Sequence, residues 1–168
     1  MSSKFTEAIN FHKKGDLLNA NNILLEILNE SPKDLDVLHL LGIIAFQTRR
    51  YKQSIEYINK AININKNIPE LYKNLSIVYK EINELDNALK YCDEAIKLNP
   101  NYAEAYNNKG HILISKNQND LAIKNWEKAL QIKPDYAEVL NNLGNVYTQI
   151  DKKNTALDYY NKSIKLNP

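Results

Sequence analysis

Proline and glycine recur in this chain at intervals of 34 residues. Whole multiples of 34 separate the members of two sets: Pro32, Pro100, Pro134 and Pro168, and Gly42, Gly110 and Gly144. The 168 residues of the chain are two fewer than five frames of this length. A period of this kind is typical of repeat arrays, in which each unit buries its apolar face by stacking on its neighbours.

Within one frame, the apolar residues follow helical spacing. Small residues recur at position 20 of the frame, large ones at position 24 and aliphatic ones at position 28. These intervals trace one face of a helix, so each frame predicts a helix A over about positions 2 to 14 and a helix B over about positions 18 to 31. We predict an all-α solenoid of about ten helices in one domain, 1–168, with the repeats 1–34, 35–68, 69–102, 103–136 and 137–168.

Short polar residues mark the expected helix ends. Asp86 and Asp120 are placed to N-cap two B helices, and Asn101 and Asp135 to N-cap two A helices. Gly15 falls in the predicted turn between the first two helices.

Composition excludes several classes of partner. The chain has 22 Lys and Arg against 20 Asp and Glu, a net charge of +2, which predicts no nucleic-acid partner. The most apolar run, Val37 to Phe46, is much shorter than the ~18 residues of a membrane helix, so we predict no membrane insertion. A single cysteine, Cys92, excludes an internal disulfide, and together with the absence of an apolar leader it predicts a cytoplasmic protein.

The residues that carry chemistry form no recognisable constellation. The sequence has no glycine-rich phosphate loop and no nucleophile elbow. His12, His39 and His111 lie in three different frames, none with a second histidine three or four residues away. Cys92 and Trp126 share position 24 with aliphatic residues, which favours core packing. We therefore predict no enzyme, no catalytic residue, no metal site and no cofactor.

The segments 103–110, 129–134 and 140–144 resemble the signature of the tetratricopeptide repeat. The resemblance covers the whole chain and is strongest in frames 3 to 5, while frame 2 has Lys66 in place of the proline. It implies antiparallel helix pairs stacked in a right-handed superhelix, with the A helices lining a concave groove.

In this family, A-helix positions 2, 5, 6, 9, 12 and 13 face the groove. Position 6 of the last three frames is Asn74, Asn108 and Asn142, a ladder of amides. Because an amide donates and accepts, each could pair with a peptide unit whatever the ligand's side chains. The chain has 25 asparagines, so chance is an alternative explanation of this placement. Against it, Thr6 and Leu40 occupy the position in the first two frames, so the ladder is confined to the last three. We predict a protein or peptide ligand bound in extended form.

Further groove residues are predicted to contact this ligand: Lys73, Ile77, Asn107, His111, Asn141, Asn145 and Gln149. A second predicted contact surface is apolar and consists of Phe5, Ile9, Leu40, Ile43 and Phe46. It would hold an apolar ligand residue or another copy of the chain, or else pack frame 1 on its neighbour. An acidic row at position 2 either favours basic ligands or offsets helix dipoles: Asp36, Glu70, Glu104 and Glu138.

Two branches of the family are distinguishable by residue. Lys73 and Asn108 match the clamp that holds the carboxyl terminus of chaperones, but Ile77 and Glu138 depart from it, so we predict no such clamp. The ladder is more similar to the arrays that precede O-linked N-acetylglucosamine transferases and related bacterial enzymes. The chain ends at Pro168 without a capping helix, which predicts a further domain. The alternatives to a peptide-binding scaffold are thus the substrate-recruiting N-terminal part of a glycosyltransferase and a self-assembling structural protein, a possible homo-oligomer.

Overall fold

The computed structural model describes residues 3–166, and over that range the chain forms ten α-helices and no strand. The predicted all-α fold class is confirmed. The helices are α1 (Ser3–Lys13), α2 (Leu17–Glu30), α3 (Leu35–Gln47), α4 (Tyr51–Ile64), α5 (Pro69–Glu81), α6 (Leu85–Leu98), α7 (Ala103–Ser115), α8 (Asn119–Ile132), α9 (Ala137–Gln149) and α10 (Lys153–Leu166). Pro168, on which the prediction of a further domain rests, lies outside the described residues.

The chain divides into two compact units, Met1–Asn83 with α1 to α5 and Glu84–Pro168 with α6 to α10. In the first unit, each helix from α1 to α5 packs against the next one along the chain. The same order of packing holds from α6 to α10 in the second unit. The single domain of five repeats, with the boundaries given above, stays a prediction.

Aspartate side chains begin two helices of the first unit. Asp16 Oδ1 accepts the backbone N–H of Asn19 at 3.2 Å, and Asp34 Oδ1 accepts that of Val37 at 3.1 Å. Each bond satisfies one of the amides that the first turn of a helix leaves unpaired.

The four caps predicted from the sequence at later helix starts are wrong. Asp86 and Asp120 are the second residues of α6 and α8, and Asn101 and Asp135 lie one residue before the N-cap residues of α7 and α9. None of these four helix starts has a side-chain cap hydrogen bond. Periodicity places a helix end to within a residue or two, whereas a cap requires one particular residue.

The turn that follows each A helix bends through a left-handed residue at position 15 of its frame. Gly15 has a φ of 79°, which confirms the predicted glycine turn. The other frames use residues with side chains: Arg49 at 58°, Asn83 at 62°, Asn117 at 57° and Asp151 at 59°. Asn and Asp tolerate this region better than other residues with a Cβ. Arg49 is therefore the most strained of the four.

In the helix pairs α3–α4, α7–α8 and α9–α10, a glycine at position 8 of helix A faces a large residue at position 24 of helix B. A Cβ added to Gly42 would lie 2.7 Å from Ile58 Cγ1, and one added to Gly110 would overlap the indole of Trp126. Gly144 stands in the same relation to a tyrosine ring. Trp126 is 3% exposed, so its predicted core position is confirmed. The missing side chain lets the two helices of a pair approach closely.

We expect Arg49→Gly to raise the free energy of unfolding by about 0.5–1 kcal/mol, because glycine adopts a positive φ without strain. Urea denaturation followed by circular dichroism measures this change. Asn117→Gly is the matched comparison, and it should gain less because asparagine already tolerates the left-handed region. An unchanged or lower stability of Arg49→Gly would contradict the role assigned to position 15.

We expect Gly110→Ala to lower the free energy of unfolding by about 1–3 kcal/mol, because overpacking against Trp126 outweighs the helix propensity of alanine. The same substitution should cost less in a Trp126→Leu background, where a smaller side chain leaves room. A double-mutant cycle measured by urea denaturation tests this coupling. Additive effects of the two substitutions would show that the glycine and the indole do not constrain each other.

Candidate functional site

Residues of helices α3, α4 and α5 line an open pocket in the first unit, with a volume of about 300 Å³. We call it the α3–α5 pocket. Its walls include Ile43 and Phe46 from the predicted apolar surface, and Lys73, Asn74 and Ile77 from the predicted peptide-contact set. Parts of two surfaces that the sequence suggested as separate therefore lie together, and apolar walls stand beside an amide and an ammonium group.

The amide of Asn74 is oriented by a histidine of the preceding frame. Asn74 Nδ2 lies 2.7 Å from His39 Nε2. An amide nitrogen can only donate, so His39 Nε2 accepts and the neutral ring carries its proton on Nδ1. Asn74 Oδ1 has no hydrogen bond to any of the described residues. The side chain therefore keeps an acceptor available for a ligand.

Burial of His39 favours its neutral ring. Burial lowers the pKa of His39 below its ordinary value of 6.5, and the Lys73 ammonium lowers it further, while the carboxylates of Glu70 and Asp36 oppose this shift. The neutral form is the one that accepts the N–H of Asn74. Burial and hydrogen bonding thus favour the same state.

A second hydrogen-bonded cluster, in the second unit, surrounds Asn107. Trp126 Nε1 donates to Asn107 Oδ1 at 3.0 Å, and Asn107 Nδ2 donates to Glu138 Oε1 at 3.0 Å and to the Tyr136 hydroxyl at 3.3 Å. An indole N–H only donates and a carboxylate only accepts, which assigns both ends of the amide. Asn107 is 3% exposed. It was predicted to contact a ligand, but the structure places it inside the unit as a support for its neighbours.

The orientation of Asn107 sets that of Asn142. Asn142 Nδ2 lies 3.2 Å from Asn107 Oδ1 and 3.2 Å from His111 Nε2. Both hydrogens of the Asn142 amide are engaged in this way, whereas its Oδ1 has no hydrogen bond within the described part of the chain. The expectation that this amide both donates to and accepts from a peptide therefore needs correction, because only its acceptor remains available.

The other predicted groove residues lie on the A helices of the second unit with differing exposure. Asn108, on α7, is half-buried. Asn141, Asn145 and Gln149, on α9, are exposed. Asn145 Oδ1 accepts the hydroxyl of Tyr160 at 2.7 Å, which ties this side chain to α10.

Three members of the predicted apolar surface belong to the core of the first unit. Phe5 is 8% exposed and lies in the core cluster, and Ile9 and Leu40 pack against that cluster. The expectation of an exposed apolar contact is wrong for Phe5, and the alternative that frame 1 packs on its neighbour describes all three. Ile43 and Phe46 remain half-buried at the α3–α5 pocket.

Two carboxylates of the acidic row are engaged within their own units. Glu70 Oε1 lies 3.8 Å from Lys73 Nζ, and Glu138 Oε1 accepts from the Asn107 amide. His111 Nε2 lies 3.4 Å from Glu138 Oε1 but cannot donate to it while it accepts from Asn142. Both glutamates are also in the first turn of their helices, where a negative charge offsets the helix dipole.

His39 and Trp126 are the positioning residues that sequence reasoning missed, because the histidine had no predicted partner and the tryptophan was assigned to packing alone. The separation of the paired residues along the chain is a signal that could have revealed these contacts. The contacts of His39 with Asn74 and of Asn107 with Asn142 both join residues 35 apart, from position 5 of one frame to position 6 of the next.

Other features of a chemical site are not found among residues 3–166. No group of three or more His, Cys, Asp or Glu side chains is placed there to hold a metal ion. None of the described helices is long and apolar enough to cross a membrane. Cys92 is buried, and its Sγ donates to the carbonyl of Ala105 at 3.1 Å.

Family models of the tetratricopeptide repeat match residues 35–68, 69–102, 91–124, 110–151 and 137–168. The chain belongs to the tetratricopeptide repeat family. The resemblance inferred from the sequence is thereby confirmed.

Solved structures with the same fold include a crystal structure of MamA, 25% identical, with a TM-score of 0.82 over 99% of this chain and 95% of that chain. PilF of Pseudomonas aeruginosa is 17% identical, with a TM-score of 0.89 over 99% of this chain and 76% of that chain. YrrB, described as a tetratricopeptide protein with an unusual peptide-binding site, is 21% identical, with a TM-score of 0.71 over 98% of this chain and 85% of that chain.

A curated relative is the UDP-N-acetylglucosamine–peptide N-acetylglucosaminyltransferase of Caenorhabditis elegans. It is 33% identical over 76 residues, which cover 45% of this chain and 7% of the transferase. The chain thus matches less than a tenth of the length of that relative.

We expect the free energy of unfolding to fall as the pH is lowered through 6.5, the ordinary pKa of histidine, because the folded state must protonate His39 against a lowered pKa. The unfolded chain binds that proton more readily, so acid favours unfolding, and the stability is fully present above the ordinary value. Urea denaturation at pH 7.5 and pH 5.5 measures the loss.

His39→Gln should lose less stability than the native chain between these two pH values, because glutamine does not titrate and still offers Asn74 an acceptor. His12→Gln is the control, since the pKa of His39 is unchanged by it, and it should retain the native dependence. The same loss in His39→Gln as in the native chain would exclude His39 as the source.

Proposed function

We propose that the chain is a non-enzymatic scaffold that binds an extended segment of a partner protein through Asn74, Asn108 and Asn142. Its family and fold are those of protein-interaction scaffolds. One observation carries the finer proposal: in each unit, neighbouring side chains engage the nitrogen of a position-6 asparagine, and its oxygen has no hydrogen-bond partner among residues 3–166. Asn74 and Asn142 are thus oriented to accept hydrogen bonds.

An extended peptide offers the complementary groups. Each of its residues other than proline carries a backbone N–H donor, whatever its side chain. A hydrogen bond of this kind contributes about 0.5–1.5 kcal/mol net, so three of them support weak binding that tolerates many sequences. YrrB has the same fold and is described as having a peptide-binding site, which supports a peptide as the ligand of this chain.

The similarity to the Caenorhabditis elegans transferase supports a second candidate function. In that case the repeats would recruit protein substrates for a glycosyltransferase, and the same asparagines would hold the substrate chain. The third alternative, self-assembly, has less support because Phe5, Ile9 and Leu40 pack within the first unit. A cytoplasmic location and the absence of a nucleic-acid partner stay predictions.

A displayed library of random 16-residue peptides, selected on the immobilised chain, tests the proposal. We expect selected peptides, measured by fluorescence anisotropy, to bind the triple variant Asn74→Ala, Asn108→Ala, Asn142→Ala at least about tenfold more weakly, the loss expected from three hydrogen bonds. The control variant replaces three exposed asparagines of B helices by alanine: Asn22, Asn63 and Asn161.

Both variants must retain the helical circular dichroism of the native chain before their affinities are compared. The control variant should bind like the native chain. Failure to select any peptide, or equal affinities for the ladder variant and the control variant, would overturn the ladder as a binding site.

A further inference from the structure

We propose that the α3–α5 pocket binds one aromatic side chain of the extended ligand. The inference rests on the proposed peptide binding and specifies what that ligand must contain. The pocket lies entirely within the first unit, and Asn74 of the ladder is part of its wall.

The chain itself contains an aromatic group in the matching place of another frame. Position 24 is Trp126 in frame 4, and its indole packs against Gly110 and edge-on against the His111 ring at 5.5 Å between centroids. In frame 2 the same position is Ile58, which packs against Gly42. An isoleucine is much smaller than an indole, so the niche built around an aromatic ring in the second unit is only partly filled in the first.

The size of the α3–α5 pocket agrees with this comparison. Its volume of about 300 Å³ is at the lower limit of the ~300–1,000 Å³ typical of ligand sites, which is room for one large side chain. The walls supply apolar surface from Ile43, Ile77 and Val78. Phe46 adds an aromatic wall, and its ring rests on that of Tyr51 at 5.9 Å between centroids.

The charges at the pocket favour a neutral guest. Lys73 and Glu70 both line it, and their charged groups lie 3.8 Å apart, so they largely compensate each other. The oxygen of Asn74 is available to accept a backbone N–H beside the bound side chain. An aromatic residue within an extended segment satisfies both the apolar walls and this acceptor.

The test uses N-acetyl-L-tryptophanamide as a probe, which is titrated into the isotope-labelled chain and followed by amide NMR spectra. We expect saturable shifts of Gly42, Ile43, Lys73 and Ile77. N-acetyl-L-alaninamide, which carries the same backbone groups without a ring, should leave these signals unchanged at the same concentrations.

Two variants probe the pocket in different ways. Ile58→Trp fills it from within, and the chain already holds a tryptophan at this position beside a glycine, as in Gly110 with Trp126. The double variant Ile43→Gln, Ile77→Gln keeps the volume but makes two half-buried walls polar. Each should weaken the probe at least about tenfold, as the loss of a central apolar anchor does. The double variant keeps the test valid if Ile58→Trp fails to fold.

Several results would overturn the inference. The first is a set of NMR shifts spread over the whole chain, and the second is equal probe binding by the native chain and the folded variants. The third is self-association of the native chain, measured by sedimentation at several concentrations, that Ile58→Trp abolishes. In the last case the guest would be a second copy of this chain. Selected peptides that require the ladder but tolerate alanine at every aromatic position would leave the proposed function intact and exclude the pocket as its anchor site.

Discussion

The close approach of an A helix to its B helix within a unit, as between α7 and α8, is the constraint on which the other features depend. It requires a small residue at position 8, and Gly110 meets this requirement beside Trp126. Because the indole lies so near α7, its N–H reaches the side chain of Asn107, and the fixed amide of Asn107 in turn orients Asn142. A packing requirement of the core thus determines which atom of a candidate binding residue is left for a ligand.

The same core position differs between the frame with the α3–α5 pocket and the frame with Trp126. Where position 24 is Trp126, the ring occupies the space beside the glycine, and where it is Ile58 a pocket remains. Helices α3 and α4 still pack closely in the first unit, since Ile58 is 1% exposed and Gly42 is in contact with it.

Much of the fold and part of the site could be predicted from the sequence. The 34-residue period, the helical spacing and Gly15 placed the helices and the first turn, because these features depend on residues close together in the chain. The asparagine ladder was also visible as a period. The N-caps at Asp86 and Asp120 were predicted wrongly, since a shift of one or two residues removes a cap without disturbing the period.

The sequence by itself determined that the chain is all-α, with a 34-residue period and an asparagine at position 6 of three successive frames. Only the tertiary structure decided that Phe5 belongs to the core, that His39 turns the amide of Asn74, and that an open pocket lies beside Ile58. The physical reason is distance along the chain. The hydrogen bond between His39 and Asn74 joins side chains 35 residues apart. The pocket is the space that side chains leave unfilled between α3, α4 and α5, so it exists only once these three helices have packed.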